Sequence, residues 1–171
     1  MKKAVLLAAG ILLAYRGHTA PIKAPWAGVG TREETMFSGR GIVLKGSESL
    51  VSPDSFRPPV EITIVAKTDS TNLRMAYAAD QVIFNWEENM DQLRVDGGPA
   101  DGRHVDGAGG IPKDSYVMIR WLVTPEHQAI YVNNRLRFED SSIYKDIDKP
   151  VSIFPANGSV VTVKSITIDQ Q

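Results

Sequence analysis

Between Val82 and Val95 the chain reads VIFNWEENMDQLRV, and this stretch narrows the available folds more than any other. Val82, Phe84 and Trp86 alternate with Ile83, Asn85 and Glu87. After the turn-like EENMD, Leu93 and Val95 alternate with Gln92 and Arg94. Successive side chains of a strand point to opposite faces, so this period of two predicts two half-buried strands joined as a hairpin. If Val82, Phe84, Trp86, Leu93 and Val95 turn to a core, Asn85, Glu87, Gln92 and Arg94 share the opposite face. Two amides, a carboxylate and a guanidinium suit a hydroxyl-rich ligand, and they suit water equally well.

The same period recurs along the chain. VEITIVAK (60–67) directs Ile62, Ile64 and Ala66 inward, and YVMIRWLVT (116–124) does the same with Val117, Ile119, Trp121 and Val123. Further runs begin at Gly41, Leu73, Gln128, Arg135, Val151 and Val160. Turn chemistry separates them: Asp69-Ser70-Thr71-Asn72, Pro125-Glu126-His127, and Asn133-Asn134, which tolerates the left-handed dihedrals of a two-residue hairpin. In the last run Val161 and Val163 share one parity while Ile166 and Ile168 take the other, which predicts a bulge near Ser165. Beyond the N-terminus only residues 139–147 leave room for a helical turn or two. Roughly ten short strands at this spacing predict an all-β, antiparallel two-sheet β-sandwich. At 171 residues, 43% hydrophobic and 23% charged, the chain has the size and composition of one globular domain.

The N-terminus is of another kind. Lys2 and Lys3 precede an apolar run from Ala4 to Tyr15 and a small-residue region, the form of a secretory signal. The run is too short for a bilayer, which needs about 20 residues. Ala20 can end a signal but Pro21 follows it, and Gly17 is the alternative; an uncleaved core segment is the competing reading. Residues 1–20 are therefore expected to be a signal peptide of a bacterial secreted or periplasmic protein, 21–35 an irregular lead-in, and 36–171 the sandwich. No transmembrane segment is expected once the signal is removed. The absence of Cys excludes a disulfide scaffold, a thiolate metal site and a cysteine nucleophile. Without Lys2, Lys3 and Arg16, 16 of the 19 basic residues face 20 acidic ones, a net charge of −4. Such a domain is unsuited to nucleic acid, which rewards a basic stripe.

The block YVMIRWLVTPEHQAIYVNNRLR, preceded by VEITIVAKTD and closed by VVTVKSITI, resembles the concanavalin A-like lectin/glucanase jelly rolls, in particular their laminin-G-like branch. The matching stretch runs from about Gly41 to Ile168, with Trp121, Tyr131, Val132, Asn133 and Asn134 at the corresponding places. Asn134 replaces the commoner Gly. The resemblance implies a jelly roll with one concave sheet, carbohydrate binding as the commonest activity, and protein binding in several branches.

The expected ligand is a polysaccharide or other glycan, held by the polar face. In that register Asn85, Glu87, Gln92, Arg94 and Arg120, with Thr63, Lys67 and Arg74, provide planar partners for hydroxyl pairs. Tyr131 provides a ring to stack under a sugar, and His104 joins from the loop; a solvated outer face is the alternative. Trp86 and Trp121 stand at core parity. The loop DGGPADGRHVDGAGGIPKD (96–114) carries Asp96, Asp101 and Asp106, oxygens of the kind calcium takes, although not in EF-hand spacing. Catalysis is not assigned to any residue. Adjacent Glu87 and Glu88 point to opposite faces of a strand. The E-x-D-x-E pattern of the glucanases is absent, so a glycoside hydrolase or lyase would have to combine Glu87 with His104 or Asp106. A secreted lectin-like module is thus the first expectation. A glycan-active enzyme of the same fold is the second, and a domain with a protein partner the third.

Overall fold

The computed structural model describes residues 32–36 and 41–170. The expected signal peptide and Trp26 lie outside the described residues. Twelve strands follow in order. They are β1 Arg32–Met36, β2 Ile42–Lys45, β3 Leu50–Val51, β4 Val60–Thr68, β5 Leu73–Ala76 and β6 Gln81–Phe84. Then come β7 Arg94–Asp96, β8 Val117–Thr124, β9 His127–Val132, β10 Arg135–Asp140, β11 Ser152–Pro155 and β12 Val160–Gln170. β1 starts inside the segment expected as an irregular lead-in. No helix occurs among the described residues, and the segment after Asp140 forms turns.

All pairings are antiparallel, and the strands form two sheets. One has seven strands in the order β1-β12-β4-β8-β9-β10, with β2 beside β1 on the same edge of β12. The other has five, in the order β3-β11-β5-β6-β7. β12 changes register between Val163 and Ser165, so Val161 and Val163 turn inward before the slip, and Ile166 and Ile168 after it. The parity slip in the sequence is this bulge. Asn133 and Asn134 both take positive φ, 49° and 65°, and close the β9–β10 hairpin.

The inward faces meet in one core. Ile62, Ile64, Ile119, Trp121, Val123, Leu73, Met75, Val82, Phe84, Val95 and Ile153 are fully buried in it. Each branched side chain removed from water contributes roughly 1.5–3 kcal/mol. Trp121 packs edge-on against Tyr77, centroids 6.2 Å apart and planes at 86°. Its indole N–H donates to Gln128 Oε1 at 2.8 Å, and Gln128 Nε2 donates to the Tyr144 hydroxyl at 2.9 Å. Tyr144 in turn donates to Asp140, whose other oxygen accepts from Arg103 Nη1 at 2.7 Å. This chain of polar groups satisfies the buried amide and carboxylate, which unpaired would each cost several kcal/mol. It also ties the long loop between β7 and β8 to the edge strand β10.

Candidate functional site

The side chains that β3, β11, β5, β6 and β7 turn away from the core form an extended polar cluster. Register sets Phe154 opposite Arg74, Arg74 opposite Ile83, and Ile83 opposite Arg94; Gln81 stands opposite Asp96. Ile83 points outward yet is only 2% exposed. Flanked by two arginines, it forms an apolar floor under their aliphatic stems.

Both guanidiniums are fixed in place. Arg74 donates through Nε and Nη2 to Asn72 Oδ1, at 3.0 and 2.7 Å, and through Nη1 to Gln81 Oε1 at 2.9 Å. Its Nη2 lies 3.6 Å from Glu87 Oε2. Burial draws the Arg74 guanidinium below its ordinary pKa and Arg94 acts in the same direction, against the support of Glu87 and Asp96. Arg94 Nη2 donates to Asp96 Oδ1 at 3.0 Å, and its Cζ sits 4.3 Å from the centroid of the Trp86 ring. Arg94 Nε is buried without an acceptor. Asp96 is further held by His104 Nε2 at 3.2 Å and by Gln81 Nε2 at 3.5 Å. Glu87 also accepts from Asn157 Nδ2, in the turn that leads from β11 to β12. Beyond Phe154 the same side of the sheet opens into a recess of about 330 Å³ lined by Ser47, Glu48, Ser49, Val51, Ser152, Phe154 and Pro155.

Several expectations are corrected by this arrangement. Asn85 is not on the polar face. It is fully buried with φ of 49°, its amide donating to the Ser70 and Ile111 carbonyls and its oxygen accepting from Ile111 N–H. The left-handed residue ends β6 and breaks the alternation. Trp86 therefore leaves the core parity expected of it and lies half-buried under Arg94. Trp121 is buried as its parity requires. Arg120 and Tyr131, with Thr63 and Lys67, occupy the outward face of the seven-stranded sheet, on the opposite side of the sandwich from Arg74 and Arg94. There Arg120 Nε lies 3.1 Å from Glu61 Oε1 without an aligned hydrogen bond, and Arg120 Cζ lies 4.9 Å from the Tyr131 ring centroid. One face was expected, and the structure distributes its residues over two, because period-two alternation says which residues point outward but not from which sheet.

Of the remaining expected residues, Glu87, Arg94 and His104 meet in the cluster, while Gln92 donates to Asp106 at 2.8 Å in the neighbouring loop. The three carboxylates offered for calcium do not converge. Asp96 is engaged by Arg94 and His104, Asp101 accepts from Gly97 N–H at 2.6 Å, and Asp106 holds Gln92. Among the described residues no group of three or more His, Asp or Glu is placed to hold a metal ion. Gln81, Asn72, Asn157 and Phe154 belong to the site and were not expected there. The parity of Gln81 with Ile83 and of Phe154 with Ser152 was readable, but the sheet that unites them was not.

The loop that delivers His104 is anchored on three sides. Asn85 clamps Ile111 as described. Arg137 Nη1 donates to the carbonyls of Ala108 and Gly110, at 3.0 and 3.2 Å, from a bulge in β10 that re-aims it. Arg103 reaches Asp140. Gly109 passes so close to Gln92 that a Cβ there would lie 2.2 Å from the Gln92 carbonyl oxygen.

No family model and no curated protein matches the chain. Solved structures do match, at low identity. A glycosidic hydrolase aligns at TM-score 0.61 and 9% identity over 84% of this chain and 97% of its own. The Ca2+/Man-bound exoplasmic/lumenal domain of VIP36 aligns at 0.57 and 7% over 82% and 83%. The Caenorhabditis elegans galectin LEC-6 aligns at 0.53 and 10% over 79% and 94%. The fold is that of the concanavalin A-like jelly rolls, as the resemblance implied.

Proposed function

We propose that the chain is a glycan-binding module and that its ligand lies on the outward face of the five-stranded sheet. The observation that carries this reading is the pre-formed pair of guanidiniums, Arg74 and Arg94. Amides and carboxylates fix them over Ile83, Trp86 stands beside them, and the Phe154 recess continues the face. Planar donors and acceptors held on strands suit sugar hydroxyl pairs, and their ordering entropy is spent in folding, before any ligand arrives. Lectins among the structural neighbours, a galectin and VIP36, support the reading.

A hydrolase neighbour supports a second reading, an enzyme acting on glycans. It would draw on Glu87 and Asp96. Against it, Glu87 is engaged by Asn157 and lies near Arg74, while Asp96 is engaged by Arg94, Gln81 and His104, so the face presents held carboxylates. The module is further proposed to be exported by residues 1–20, which N-terminal sequencing of the mature protein tests.

The test is a glycan array followed by titration calorimetry, with and without a chelator. Arg94→Ala is expected to weaken binding ten- to hundredfold, in line with about 1.5–3 kcal/mol for a hydrogen bond to a charged group. Arg120→Ala, on the far face, is expected to leave binding unchanged. Loss with Arg120→Ala alone would move the site to the seven-stranded sheet. Product release from a bound glycan, abolished by Glu87→Gln with binding retained, would establish the enzyme instead.

A further inference from the structure

We infer that the face selects neutral glycans and discriminates against chains carrying uronate, sulfate or other anionic groups. This inference rests on the glycan-binding reading and concerns the chemistry of the same face. The face holds two permanent cations, Arg74 and Arg94, and both already have carboxylate neighbours, Glu87 at 3.6 Å and Asp96 at 3.0 Å. The recess beyond Phe154 adds a third carboxylate, Glu48, and no cation among the described residues that line it. Its remaining polar groups are the hydroxyls of Ser47, Ser49 and Ser152.

Among the described residues, the face from Glu48 to His104 therefore carries three carboxylates against two guanidiniums. Part of each guanidinium is already engaged, and what remains lies beside a carboxylate. Asn72 takes two of the Arg74 N–H groups and Gln81 another. Asp96 takes one from Arg94, whose Nε is closed off from solvent. An anionic group approaching either arginine would have to displace its carboxylate or sit within a few ångströms of it. Like charges at that range repel by about 1 kcal/mol in water and more where solvent is excluded. A hydroxyl meets no such opposition, since it can donate to the carboxylates and accept from the guanidinium edge at once. Anion recognition requires the opposite arrangement, arginines with free forks.

The experiment compares neutral oligosaccharides with uronate- and sulfate-bearing ones on the same array, at low and high salt. Neutral probes are expected to bind, with affinity changing less than about twofold across salt concentrations that shorten the screening length from ~30 to ~3 Å. Glu87→Gln is expected to shift preference measurably towards the anionic probes by leaving Arg74 without its carboxylate neighbour. Preferential binding of anionic chains by the wild-type protein, weakening as salt rises, would overturn the inference while leaving the glycan-binding reading intact. Binding to neither class would remove the glycan-binding reading itself, and the inference with it.

Discussion

Asn85 shows how far one residue can redirect a strand. Its side chain makes three hydrogen bonds inside the protein, and its backbone takes a left-handed conformation that suits Asn better than most residues. Two substitutions separate these contributions. Asn85→Gly keeps the backbone accessible and loses the bonds, while Asn85→Ala loses both, so Ala is expected to be the worse by about 1 kcal/mol, with losses of about 2–4 kcal/mol overall in chemical denaturation. Equal losses would mean that the dihedral contributes nothing. The sequence makes Asn85 look like a ligand residue because alternation is a rule about strands, and no local signal marks where a strand stops. Trp86 was misplaced for the same reason: its true neighbour, Arg94, lies across a turn. An arginine over an aromatic ring beside a carboxylate also occurs at Arg120, Tyr131 and Glu61 on the other sheet. The residue pattern alone therefore cannot tell a binding cluster from a surface one.

At the scale of elements, strands and turns were largely legible, while the connection between β7 and β8 was not. The β12 bulge and the Asn133-Asn134 turn follow from parity and from turn chemistry, both local. Replacing Asn134, at φ 65°, by Gly is expected to stabilise the hairpin by a few tenths to about 1 kcal/mol, read from the shift in denaturation midpoint. The loop of residues 96–114 looked like an Asp-rich candidate for a metal. Its order comes instead from Asp140, Arg137 and Asn85, partners distant in sequence, the first of them held by Arg103 of the loop. Arg137→Ala combined with Arg103→Ala is expected to make this loop the first site of limited proteolysis, with the strands still protected. Unchanged resistance would show that Asn85 and the Leu93–Val105 bridge hold it unaided.

For the whole molecule, the chain of hydrogen bonds that runs inward from Arg103 to Trp121 couples stability to pH. Burial pushes the Asp140 carboxyl up, but the Tyr144 hydroxyl, Ser142 and Arg103 outweigh it and leave its pKa below the ordinary 3.8. A carboxyl depressed in the folded state contributes stability above its unfolded pKa and loses it as pH falls through the folded one. Unfolding free energy is thus expected to drop below about pH 4, and Asp140→Asn to flatten that acid limb while costing about 1–3 kcal/mol at neutral pH. An acid limb unchanged by the substitution would assign the effect to other carboxylates, Asp69 among them. The sandwich itself was readable because its repeating signal spans the chain. Which outward rows belong to which sheet depends on non-local pairing, and that no window of sequence contains. The two described tryptophans also differ in a way that can be seen with light. Trp121 is sealed in the core against Tyr77, whereas Trp86 is half-buried on the proposed binding face with a guanidinium over its ring. In a Trp26→Phe background the fluorescence has one emitter that dissolved quenchers cannot reach and one that they can. A glycan settling on the face would dim or shield the second alone, and the protein would report its own occupancy without a label.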